Sequence, residues 1–353
     1  MSIHGWAQSA ENWLRTNLPG SEWLSLAGAA ICAVAAIFLL IWLSGKALKK
    51  FGSMANSSRA RRARASKAPG FRILVSPPAG HRRIGKWLCA SLQAHLPVFS
   101  FGAPFSIVPM GVIQGGLDSR AVQKARKRMR LADADLFVWS SHTGKGEGGL
   151  ELYGLSRGGG LSAADARLFS IALPGARKAH TEDLSRAAVY MLAKQLQPSL
   201  SDPQAFRAEK IKILAEELDR VLEGQPAVSQ GLRSEIEADF CASGVRVAEE
   251  LGELTALNKV IAMRRQHLAE ASAAADNGRI IQARLDLGRA LIVRAERQFD
   301  QNIVREAITH LSHAVEALRA DPAILRAQSA SDALFKAQSM IESRKRFSLN
   351  FGS

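Results

Sequence analysis

The chain has 353 residues, 47% of them hydrophobic, and a formal net charge of +15. That is enough for two modest domains and too apolar for a disordered tail. Residues 46–67 hold eight Lys/Arg and no acid, and residues 120–130 hold six and no acid, so the remainder is nearly neutral. This pattern excludes a chain basic throughout, of the ribosomal or chromatin kind. Cys32, Cys89 and Cys241 stand far apart without a CxxC pair, which argues against a disulfide framework or zinc ribbon and fits a reducing compartment.

Residues 1–22 predict a short extracytoplasmic tail, and residues 23–45 a transmembrane helix. No charge falls between Glu22 and Lys46, a length that spans a bilayer. Trp23 and Trp42 stand as interface anchors ~28 Å apart along a helix. Gly28, Cys32 and Ala36, at four-residue spacing, would let a second copy approach, so a homodimer is one expected partner. Residues 46–70 predict an extended, basic juxtamembrane linker. Its cations Lys46, Lys49, Lys50, Arg59, Arg61, Arg62, Arg64 and Lys67 place the C-terminal part on the cytoplasmic side and offer contacts to acidic lipid or another polyanion.

Residues 71–198 predict an α/β (α+β) module of order βαβαβββα. The strands fall near 71–76, 105–110, 136–140, 150–155 and 168–173, with helices at 84–96, 120–134 and 182–196. The second of these helices carries Arg120, Lys124, Arg126, Lys127, Arg128 and Arg130 over a thin apolar face of Ala121, Val122, Ala125, Met129 and Ala132. Six like charges call for an acidic partner. No aromatic residue interleaves with them, which disfavours single-stranded nucleic acid, and nucleic acid is not an expected partner.

Gly80-His81-Arg82-Arg83-Ile84-Gly85-Lys86 fits GxxxxGK between a predicted strand and a predicted helix. A phosphate-cradling loop belongs at such a place. Trp87 stands where a nucleotide hydrolase has Ser or Thr for magnesium, and Asp133 and Asp135 precede the later strand instead of following it. The first reading is a structural strand-to-helix turn with Gly85 allowing close packing; Gly80, Gly85 and Lys86 remain the candidate anion site. Gly144 to Gly149 matches GxGxxG literally, but a strand follows, so a hairpin loop accounts for it. His142 beside Ser140 and Ser141 forms no triad, and His310 with His313 lacks a third metal ligand. No catalytic residue, cofactor or metal is expected.

Residues 199–353 predict an all-α region, opened by the N-cap Asp202 and Pro203 and broken at 224–226, 276–278 and 321–322. Leu287-Gly288-x-Ala290-Leu291, then Ala307-Ile308, Ala314 and Asp321-Pro322, resembles a tetratricopeptide repeat of the elongated bacterial type. The resemblance implies helical-hairpin repeats in which the Gly and Ala positions let antiparallel helices pack closely. The order of the preceding module, with its turn after Ser76-Pro77, resembles the TolB N-terminal-like module that sits before such repeats. Together these imply a single-pass protein of the bacterial inner membrane, a scaffold or adaptor that binds unidentified cytoplasmic or membrane proteins through its repeats. The alternative is an anion- or nucleotide-binding signalling module using the Gly80–Lys86 loop, or acidic-lipid or nucleic-acid binding through the basic patches.

Overall fold

A computed structural model describes residues 54–66, 69–142, 149–158, 161–174, 180–197, 207–319 and 324–350, with a few isolated residues before 54. Its first continuous element is a helix over residues 54–65 (α1). There follow β1 (Phe71–Ser76), α2 (Arg82–Phe99), β2 (Phe105–Pro109), α3 (Ser119–Ala132), β3 (Leu136–His142), β4 (Leu150–Ser156), β5 (Arg167–Leu173) and α4 (Glu182–Leu196). The C-terminal region is α5 (Ala208–Glu223), α6 (Gln230–Leu251), α7 (Thr255–Ala273), α8 (Asn277–Arg297), α9 (Gln301–Leu318) and α10 (Ile324–Asn350). The expected order βαβαβββα holds, as does the change from an α/β region to a largely helical one.

The sheet runs β2-β1-β3-β4-β5. β1 pairs parallel with both β2 and β3, while β3, β4 and β5 form antiparallel hairpins. β1 is buried from Arg72 to Ser76, which explains its near-continuous apolar run; a central parallel strand is covered on both sides. Period-two alternation divides the side chains. Ile73, Val75, Leu136 and Val138 face a core shared with α2 and α4, and Leu74, Phe137 and Trp139 face a second core beneath α3 and α1.

The first of these cores does not stop at the module. It continues through Leu184 to Leu196 of α4 into Leu218, Phe240, Val260, Leu291 and Leu311 of the helical region. There, consecutive helices pack on one another from α5 to α10. A Cβ at Gly288 would lie 2.6 Å from Leu311 Cγ, so α8 and α9 approach closely at that position. Leu287, Ala290, Leu291, Ala307 and Ala314 are fully buried and Ile308 half-buried. Pro322, Asp202 and Pro203 lie outside the described residues. Two further breaks separate the helices: Gly252, with φ of +74°, ends α6, and Asp300 caps α9.

Two expectations are corrected. The transmembrane helix at 23–45, and with it single-pass anchoring, inner-membrane localisation and a membrane-anchored scaffold function, is overturned: among the described residues, no helix is long and apolar enough to cross a membrane. A span needs about 20 consecutive apolar residues in one helix. The described part of that stretch is only Val34, Ala35, Ile37, Phe38, Leu39 and Trp42, and the rest of it, with residues 43–50, lies outside the described residues. The longest helices elsewhere interrupt their apolar residues with charges, as α6 does at Arg233, Glu235, Glu237 and Asp239. The extended linker is the second correction. Residues 54–65 are helical, and Ala60 is fully buried in the core beneath α3. An alanine at i with alanine at i+3 gives this helix a narrow buried stripe that charge content alone conceals.

Candidate functional site

The carboxyl ends of β1 and β3 lie side by side, and the chain leaves β1 for β2 on one side and returns from β2 to β3 on the other. Such a topological switch point leaves a crevice outside the strand ends, where open α/β sheets bind ligands. Here the crevice is a cleft of about 1040 Å³, lined by Pro78, Gly80, His81, Arg82, Arg83, Ile84, Lys86, Trp87, Val112 and His180.

Local chemistry builds it. Pro77-Pro78 ends β1, since proline supplies no donor to the ladder. His81 N–H then donates to Pro78 O at 3.2 Å across a turn in which Gly80 has φ of +79°. Helix α2 opens at once, with Ile84 N–H donating to His81 O at 3.1 Å. A Cβ on Gly85 would stand 2.6 Å from Pro77 Cβ, so Gly85 lets the helix lie against the strand end, as expected. Ser76 Oγ donates to Gly111 O at 2.8 Å and accepts from Ile113 N–H at 3.0 Å, fastening the β2–α3 loop, and with it Val112, to the same edge. Also lining the cleft, Trp87 of α2 and His180 stack with ring centroids 4.5 Å apart and an interplanar angle of 19°. Trp87 Nε1–H is held by Ser185 Oγ at 2.9 Å.

The electrostatics are one-sided. The first turn of α2 has no acidic residue and no side-chain cap, whereas Asp118 caps α3 and Thr181 caps α4 with Glu182 and Asp183 following. The positive end of the helix instead meets Arg82, Arg83 and Lys86, a placement the macrodipole disfavours unless an anion joins them. A second, smaller cavity of about 380 Å³ among α6, α7 and α8 differs in kind. It has acids of its own: Glu237 accepts from Arg233 at 3.0 Å and faces His267 Nε2 at 3.4 Å.

Of the expected site residues, Gly80 and Lys86 line the cleft, and Gly85 packs behind it. Trp87, His180 and Val112 were not foreseen, because they meet only through the sheet order. The GxGxxG stretch joins β3 to β4, whose register sets His142 opposite Leu150, and residues 143–148 lie outside the described residues. Ser140 is 2% exposed. Burial lowers the His310 pKa, and among the described residues no group of three His, Cys, Asp or Glu could hold a metal. Cys241 is a buried core thiol whose pKa burial pushes up to about 11. No protein-family model, curated protein or solved structure matches this chain. The cleft is therefore read from its own geometry.

Proposed function

We propose that the α/β region binds a small phosphate-bearing ligand of nucleotide type, without turnover, in the cleft at the carboxyl ends of β1 and β3. The observation that carries the reading is the pairing of an acid-free, cationic helix start with an apolar wall in one crevice. Arg82, Arg83, Lys86 and the first N–H groups of α2 suit a phosphate, and the stacked Trp87 and His180 rings offer a flat surface for a base. Trp87 in place of a hydroxyl residue after Lys86 favours holding the ligand over hydrolysing it. The helical region, with consecutive helices packed pairwise, supports the resemblance to helical-hairpin repeats and would present the ligand-bearing module to a protein partner.

The test is titration with a nucleoside diphosphate at millimolar concentration, read by thermal shift and by Trp87 fluorescence, with a Trp87→Phe variant assigning the signal. A rise in Tm together with quenching of Trp87 is expected. Lys86→Ala should weaken binding about ten-fold, the equivalent of one charge-assisted hydrogen bond. Absence of any shift with the intact chain rejects the reading.

A further inference from the structure

The described part of the first basic stretch, residues 54–66, and the second, residues 120–130, lie more than fifty residues apart in sequence and on one face of the fold. Helix α1 packs by Ala60 into the same core as Ala121, Ala125, Met129 and Ala132 of α3. The two helices also hold one residue between them: Gly111 N–H donates to Asn56 Oδ1 of α1 at 2.8 Å, and Gly111 O accepts from the Arg128 guanidinium of α3. Arg126 is likewise spent as a brace, donating to Ala164 O and Ala166 O.

The remaining cations point outward. On α1, Arg59, Arg61, Arg62 and Arg64 are exposed, and on α3, Arg120, Lys124, Lys127 and Arg130 are exposed. None of these eight has an ion pair among the described residues. In the helical region, by contrast, several exposed cations are matched across helices: Lys259 with Asp219 and Glu223, Arg265 with Glu306, and Lys336 with Glu296. No Asp or Glu occurs between Glu22 and Asp118, so α1 has no acid of its own to offset its charge.

We propose that α1 and α3 together form a docking surface for the phosphate backbone of double-stranded nucleic acid. A protein surface ordinarily mixes both signs, and an array of one sign on two rigid helices complements a partner whose charge is uniform and regularly spaced. Duplex DNA carries one negative charge per ~1.7 Å of axis. Arginine forks match phosphate oxygens bidentately, and α1 presents four arginines and no lysine. A lipid surface is the less suitable anion. Membrane-bound helices insert an apolar face, and here Ala60 and Ala63 of α1 and Ala121, Ala125, Met129 and Ala132 of α3 are turned into the core, which leaves Met54 as the one large apolar side chain exposed on either helix. Single strands need exposed aromatic platforms, and neither helix has an aromatic residue.

Fluorescence anisotropy of the full chain with a duplex of about 25 base pairs and arbitrary sequence decides it, beside a matching single strand and phosphatidylserine vesicles. The expected result is duplex binding indifferent to sequence, with a log–log salt slope of about −4 or steeper between about 50 and 200 mM salt. Arg61→Ala/Arg62→Ala on α1 and Lys124→Ala/Lys127→Ala on α3 should each cost about ten-fold and flatten the slope. These side chains are exposed and make no ion pair among the described residues, so far-UV circular dichroism should be unchanged. No duplex binding at 50 mM salt, binding that neither pair of substitutions weakens, or preference for the single strand or the vesicles would each overturn the proposal.

Discussion

At the scale of single residues, two glycines of the candidate anion site do different work. Gly80 has open space around it and is needed for its positive φ, whereas Gly85 has ordinary space on no side facing Pro77. Gly85→Ala should therefore destabilise the protein by roughly 1–3 kcal/mol through overpacking, and Gly80→Ala by about 1–2 kcal/mol through backbone strain. Equilibrium unfolding in urea measures both; equal, negligible losses would mean that the helix can withdraw from the strand end at no cost. The sequence pattern GxxxxGK singled out both positions but could not say which glycine lines the cleft. Gly80 lines the cleft and Gly85 only lets α2 approach, a distinction that depends on the direction of the helix axis at Pro77. Trp87 was read from sequence only as the wrong residue for magnesium; stacked on His180, it becomes part of the wall.

At the scale of elements, nearly every strand and helix of residues 71–196 was legible, because each carries its own period. The elements that were missed are those whose period is masked. Helix α1 shows four exposed arginines against a single fully buried alanine, and the breaks at Gly252 and Asp300 fall inside sequences that read as helix on both sides. Contacts between elements were not legible at all. Tyr190 Oη of α4 donates to Asp239 Oδ2 of α6 at 2.7 Å, and Lys194 Nζ donates to the same oxygen and to Glu235 Oε1, each at 2.7 Å. Burial and the neighbouring carboxylate push the Tyr190 pKa upward, so its hydroxyl stays a donor at ordinary pH. Asp239→Ala strands that hydroxyl and should cost about 1–3 kcal/mol. In a double-mutant cycle with Tyr190→Phe the combined loss should fall short of the sum. Strict additivity would show that the pair makes no net contribution across this junction.

At the scale of the whole molecule, one apolar core runs from the face of the sheet through α4 into the helical array. Fluorescence of the core tryptophan Trp139 reports on the α/β region, and circular dichroism at 222 nm is dominated by the helices that follow. In a background lacking the other five tryptophans, the two urea transitions should coincide. Separate midpoints would show that the regions unfold independently and that the shared core adds little. Packing between elements distant in sequence is also what brings residues 54–66 beside α3 and His180 against Trp87 of α2; neither follows from local pattern. The burial of α4 has a further consequence for synthesis. From Ala187 to Ala193 every residue is buried, on one side by α2 and the sheet and on the other by helices made later. At about 5–20 residues per second, α4 leaves the ribosome several seconds before α6 follows it. During that interval a growing chain presents an uncovered apolar flank, which is covered only once α5 and α6 have been made.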